Sequence, residues 1–372
     1  MSVGTKEEIL GDVLEKERRV RAFLDKEGLD ALALTRRDNF AWFTCGGDNH
    51  VVTTSEEGFT TLVITRDKKY AVAYIMDGPR VMDEEISSQG FELVPLRWYE
   101  GSLAEKVLEL TRGMKVGADT PLAGCRFYTS ELVDLHYPLT ELELRRCRWI
   151  GARCAEILQR VARWVEPGMT EVEIGARILE EYGRLGMTVD VLIVGTDERV
   201  SKYRHPMPTE KRLERYVILH PAARKWGLHA NITRSVHFGP PPEGILRAYR
   251  AAATIEANII GRLAPGLLFS DILALEKRLY ADLGYPEEWR NHFQGGIIGY
   301  ILIDPTRCLK EGEAVRRNQA FDWFITITGA KVEELSMVTD EGPEIPSLGT
   351  WWPRLAFEVE GREIEVPDIL VR

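Results

Sequence analysis

The feature that most constrains this chain is a repeat within its second half. Residues 166 to 187 read EPGMTEVEIGARILEEYGRLGM, and residues 264 to 285 read APGLLFSDILALEKRLYADLGY. Pro167 and Gly186 are 19 residues apart, and so are Pro265 and Gly284. Each copy follows a long stretch of helical periodicity, 140–165 in the first case and 242–263 in the second. In the first stretch Leu142, Trp149, Ile150, Ile157, Val161 and Val165 mark one apolar face. Each copy is followed by β-rich sequence, 189–239 and then 296–338. Pro-Gly breaks the leading helix, Thr170 or Ser270 can cap the next, and Leu-Gly closes it with a residue that tolerates left-handed backbone. Glu173 stands where it completes a capping box with Thr170. Two helix–helix–sheet units of one design predict a duplicated α+β domain, with halves at about 140–240 and 241–345.

The first third reads differently. Residues 5–28 form an amphipathic helical pattern ending at Gly28, and short apolar runs follow at 29–35, Ala41 to Cys45, 59–67, 69–76 and 91–97. Their alternation with a helical stretch at 102–113 predicts an α/β layer domain. At 372 residues one ordinary core is not expected, so the chain divides into an α/β domain over 1–138 and the duplicated domain over 139–372.

Composition narrows the function classes. Lysine plus arginine against aspartate plus glutamate is 48 − 58 = −10, and no basic run breaks that balance, which argues against nucleic acid as a partner. Cys45, Cys125, Cys147, Cys154 and Cys308 are odd in number, widely spaced and never in a C-x-x-C pair. That pattern fits neither a disulfide framework nor a zinc knuckle, and a reducing cytoplasm is expected. The N-terminus is charged throughout, and no stretch approaches the roughly 20 apolar residues of a membrane span.

Five segments, in order, carry a resemblance: RVRAFLDKEGLDALALTRRDNFAWFT, VEPGMTEVEI, YRHPMPTEKRLERYVILHPAARKWGLHANITRSVHFG, HFQGGIIGY and NQAFDWFITITGAKVEELSMVTDEGPE. Together they resemble the family of creatinase, Xaa-Pro dipeptidase (prolidase), Xaa-Pro aminopeptidase (aminopeptidase P) and methionine aminopeptidase, the M24-like peptidases. The resemblance implies a creatinase/prolidase N-terminal domain followed by a pita-bread domain. It also implies a homodimer. Peptidases of this family hold two divalent metals with two Asp, one His and two Glu, because paired hard cations need anionic oxygen ligands. On the matching positions of this chain stand His220, Asn231, Gly296, Phe324 and Glu333. Only Glu333 is a residue the family uses there. Loss of the other donors leaves nothing to offset the dehydration of two ions, so no dinuclear cofactor is expected. A single Zn or Mn on His220, Glu333, His229 or Asp322 is the remaining metal option.

Creatinase implies a metal-free chemistry in the same fold, with a histidine as acid/base. That histidine matches His205 in YRHPMP, and an imidazole titrating near neutrality suits the task. Creatinase's substrate-holding positions fall on Thr233, Gly296 and Phe324 here, which implies a substrate less cationic than creatine. Strand alternation places Asp322 on the same face as Phe324, and His229, Asn231 and Thr233 on one face. His205, Glu333 and Asp322 are therefore the expected catalytic group, with His220, Asn231, Thr233, His292 and Phe324 holding substrate. Gly295 and Gly296 are expected to enlarge the cavity by removing side-chain bulk. Three functional readings remain open: a metal-independent hydrolase acting on a carbon–nitrogen bond of a small molecule, a non-catalytic relative that binds a ligand or partner, and an Xaa-Pro peptidase with an atypical metal set.

Overall fold

Thr5 and Gly28 bracket the first helix, Lys6–Glu27. The Thr5 hydroxyl accepts from the Glu8 amide and the Glu8 carboxylate accepts from the Thr5 amide, while Gly28 turns left-handed at φ +66°. The computed structural model describes residues 3–304 and 309–372; Cys308 lies outside them. Contacts divide the chain into two units, Met1–Glu143 with Trp226–Leu228, and Leu144–Lys225 with His229–Arg372. That division falls inside the helix Glu141–Trp164.

The first unit holds a mixed sheet of β1 (Ala31–Arg36), β2 (Glu57–Thr65), β3 (Lys69–Tyr74), β4 (Glu92–Leu96), β5 (Val116–Ala118) and β6 (Arg126–Phe127), ordered β4-β3-β2-β1-β5-β6. Ala31, Ala33, Val63, Val72, Val116 and Ala118 form one buried cluster on it. The apolar run Ala41 to Cys45, expected as strand-like, is instead the end of a helix, Arg37–Phe43, and the turn after it. An apolar run buried on all sides has no period to separate helix from strand. What ends β1 is Asp119, whose carboxylate accepts from the amides of Thr35 and Arg36 at 2.8 and 2.9 Å and from Asn39 Nδ2 at 3.0 Å.

In the second unit the two Pro-Gly turns do the same work. Gly168 and Gly266 share φ +93°. Gly168 donates to the Leu213 carbonyl at 2.7 Å and Gly266 to the Val315 carbonyl at 2.8 Å, with Leu213 and Val315 donating back to Met169 and Leu267. Each turn is thus clamped to the segment that follows its helix pair, Glu141–Trp164 with Glu171–Gly183 and Glu243–Arg262 with Phe269–Asp282. Thr170 caps its helix through a full capping box. Ser270 does not cap its own; Leu268 occupies that position and Ser270 lies inside the helix. Leu268 stands three residues after Pro265, as Thr170 does after Pro167, so the position that matches the first cap carries no side-chain oxygen.

The first half continues as β7 (Thr188–Thr196), β8 (Tyr216–Lys225), β9 (Leu228–Asn231) and β10 (Arg234–His237), with β8 hydrogen-bonded to β7, β9 and β10. The second half continues as β11 (Gly295–Ile298), β12 (Gln319–Ile327), β13 (Ala330–Thr339) and β14 (Gly342–Glu344), paired in that order. All of β12 is buried. Its register with β13 sets Phe324 opposite Glu333, Asp322 opposite Leu335 and Thr326 opposite Lys331. A two-stranded ribbon, β15 (Arg354–Val359) with β16 (Arg362–Pro367), and the short β17 (Leu370–Val371) complete the unit. Among the described residues no helix is long and apolar enough to cross a membrane.

Candidate functional site

Because side chains alternate along a strand and paired residues point the same way, Asp322 and Phe324 of β12 lie on one face of the sheet with Lys331 and Glu333 of β13. All four open into a cavity of about 420 Å³ within the second unit, joined there by His205, His220, Asn231 and His292. The expected convergence of His205, Asp322 and Glu333 on one cavity is therefore present.

Glu333 is 1% exposed and its carboxylate is crowded with donors. Its Oε2 lies 2.5 Å from His220 Nδ1, 3.1 Å from Lys331 Nζ and 2.5 Å from the Thr233 hydroxyl, which donates to it. Burial works against the charge, yet His220 and Lys331 hold this carboxyl well below the ordinary range. His220 moves down as well, because burial outweighs the pull of Glu333. A neutral imidazole donating to an ionised carboxylate, with Lys331 as its counter-charge, satisfies both directions.

Asp322 behaves in the opposite sense. It is fully buried, and desolvation together with the neighbouring Glu333 charge raises its pKa well above the usual value, which favours its neutral form. Asn231 Nδ2 donates to its Oδ2 at 2.6 Å. Two carboxyl groups in one cavity are thus set apart by environment, one pushed toward its ionised form and the other toward its neutral form.

At the mouth, His205 Nε2 stands 3.1 Å from His292 Nε2. Burial, the Lys331 charge and His220 lower the His205 pKa, and the same first two causes with His205 bring His292 down to about 3. Near neutral pH both rings are uncharged, so one Nε2 donates and the other accepts. His292 is fixed by aromatic contacts, stacked on Phe293 at 4.9 Å and edge-on to Phe324 at 5.2 Å.

Other expected residues sit elsewhere. Thr233 is buried behind Glu333 and does not line the cavity, nor does His229, whose ring bonds the Gly299 carbonyl at 2.8 Å and Asp190 Oδ2 at 3.1 Å. Gly296 pairs with Asp322 across β11 and β12 without lining the cavity. Gly295 serves backbone approach instead: with φ +133°, an added Cβ would come within 2.3 Å of the Asp322 carbonyl. Lys331 was not expected. The signal for it is its place two residues before Glu333 on an alternating strand. Its ammonium also lies 5.4 Å over the Phe324 ring.

The donor set does not fit a pair of divalent ions. Glu333 Oε2 already meets His220, Lys331 and Thr233, burial pushes Asp322 toward its neutral form, and Phe324 and Gly296 offer no ligand atom from their side chains. Among the described residues no group of three or more His, Cys, Asp or Glu side chains is arranged to hold a metal ion.

Comparison with known proteins gives the lineage. Residues 145–339 match the model of metallopeptidase family M24, and the chain belongs to that family. An uncharacterized peptidase of Staphylococcus aureus is 23% identical over 213 residues, covering 55% of this chain and 59% of that protein, so the match spans about three fifths of these curated relatives. Among solved structures, an Xaa-Pro dipeptidase from Bacillus anthracis is similar with TM-score 0.75 and 18% identity, covering 97% of this chain and all of that one. The prolidase from Pyrococcus horikoshii is similar with TM-score 0.76 and 17% identity over 90% of this chain and 99% of that one. The N-terminal domain of the FACT complex subunit SPT16 from chickpea gives TM-score 0.66 and 12% identity over 90% of this chain and 96% of that one. At such identities the likeness is one of fold: an N-terminal domain followed by a pita-bread domain.

Proposed function

We propose that this member of metallopeptidase family M24 is a metal-independent hydrolase of a carbon–nitrogen bond in a small molecule, with His205 as the acid/base. The observation that carries the reading is the Lys331–Glu333 pair, 3.1 Å apart inside the cavity. A positive charge that the family draws from bound ions is supplied here by the chain's own ammonium, held against the one carboxylate that keeps its family position. In the reaction, neutral His205 takes a proton from water as the water oxygen bonds to the substrate carbon. The same proton then passes to the leaving nitrogen as the carbon–nitrogen bond breaks. Lys331 lies where negative charge developing on the substrate can be stabilised, and the buried ammonium is worth more there than in water. His292 fixes the His205 ring.

The test is turnover of a panel of small amides, ureas and amidines by the wild type and by His205→Ala. Loss of turnover in the variant supports the reading; an unchanged rate sinks it. One observation favours a second reading, ligand binding without turnover: His220, Lys331 and Thr233 already occupy Glu333, so no ionised carboxylate in the β12–β13 hairpin stands free to activate water. Thermal stabilisation by a panel compound that is never hydrolysed would point there.

A further inference from the structure

A second cavity, of about 320 Å³, lies in the same unit. Trp323 lines it, and strand alternation turns Trp323 to the opposite face of β12 from Asp322 and Phe324. Its apolar walls include Phe269, Ile272 and Leu273 of the helix Phe269–Asp282, with Trp289 and Phe293. Its volume falls within the ~300–1,000 Å³ range of small-molecule sites, and its character is apolar and aromatic. Besides His292 and Gln294, one carboxyl interrupts that character. Glu276 lines the cavity at 4% exposure, and among the described residues no hydrogen bond or ion pair satisfies its carboxyl. Its sequence neighbour Lys277 does not neutralise it; that ammonium lies 4.3 Å over the Trp289 ring. A buried carboxyl without a partner is costly for stability, which calls for a compensating role.

We propose that this cavity is a binding site for a small primary amine with an aromatic body, its nitrogen meeting the carboxyl of Glu276. The class follows by elimination. An anion would find no counter-charge among the described residues of the cavity walls and would oppose ionisation of Glu276. A purely apolar ligand would fill the space and leave the carboxyl unsatisfied. An amine supplies the missing donor and charge, while Trp289, Phe293 and Trp323 take the ring. Burial pushes Glu276 up to about 8, so the empty cavity holds a protonated carboxyl near neutrality. An amine entering as free base takes that proton, and one entering as ammonium releases it to solvent. The titratable groups around Glu276 are Lys277 and Tyr280 on its own helix and His292 across the cavity.

His292 and Phe293 also line the candidate catalytic cavity, so the experiment must tell the two sites apart. Calorimetric titration of the full chain with 2-phenylethylamine, 2-phenylethanol and 3-phenylpropionate does so. The amine is expected to bind roughly tenfold or more tightly than either other probe. Glu276→Gln should erase that preference while leaving the alcohol unaffected, and Leu273→Trp, which fills the cavity, should abolish binding of both. Lys331→Met, in the other cavity, should leave the affinity of this one for the amine unchanged. Absence of amine binding to the wild type, an undiminished preference in Glu276→Gln, or loss of binding in Lys331→Met would each overturn the proposal.

Discussion

Lys331 and Glu333 stand two residues apart on one face of β13, with Nζ and Oε2 separated by 3.1 Å and both side chains almost fully buried. Buried pairs of this kind contribute little net stability, because desolvating both ions offsets their attraction. Removing one partner is a different matter, since it strands the other charge.

Glu333→Gln is therefore expected to destabilise the protein by about 3–5 kcal/mol. Adding Lys331→Met to that variant should recover part of the loss, because no charge is then left uncompensated. Urea unfolding of the two single variants and the double variant measures this coupling directly. Additive losses would mean that the two side chains do not act as a pair.

For catalysis, His205→Ala should lower turnover by roughly 10²–10⁴-fold on any substrate the wild type hydrolyses. The acid limb of the wild-type pH–rate profile should lie below 6.5, the ordinary imidazole value, since burial and Lys331 depress His205. In Lys331→Met that limb should move upward. A limb at or above the ordinary value in the wild type would place the proton elsewhere.

Glu276 makes a prediction about stability and pH. Its carboxyl titrates near 8 in the folded chain, above the ordinary 4.5. Between those values the native state keeps a proton that the unfolded chain has given up, so stability falls as pH rises through the window and levels off above it. The full effect is of order 5 kcal/mol. Glu276→Gln should flatten this slope, with its melting temperature gaining on wild type at pH 8 relative to pH 5. Parallel curves for the two proteins would contradict it.

Gly295→Ala should destabilise by about 3 kcal/mol or more. The added Cβ would meet the Asp322 carbonyl and the Trp323 backbone at 2.3 and 2.8 Å, on a backbone at φ +133°. Circular dichroism melting of the variant checks this, and a wild-type melting temperature would refute the close approach of β11 and β12.

What could be read from sequence was mostly local. Pro167-Gly168 and Pro265-Gly266 announce the duplicated turns because breaking and restarting a helix depends on a few adjacent residues. Strand alternation sufficed to place Asp322 beside Phe324. The same alternation from Glu333 reaches Lys331, but its importance emerges only when the β12–β13 pairing brings its ammonium over the Phe324 ring. The His205–His292 contact joins residues 87 positions apart and has no local trace. Ser270 misled because it lies two residues beyond Leu268, the position that matches Thr170 in the repeat.

The central claim is that Lys331, not a bound ion, supplies the positive charge of the site. The most direct measurement is the metal content of the protein after incubation with manganese or zinc and removal of free ion, paired with hydrolysis assayed in EDTA. The account predicts clearly sub-stoichiometric metal, with hydrolysis that persists in EDTA and disappears in His205→Ala. One or two retained ions per chain, with hydrolysis found only in the loaded protein, would contradict it.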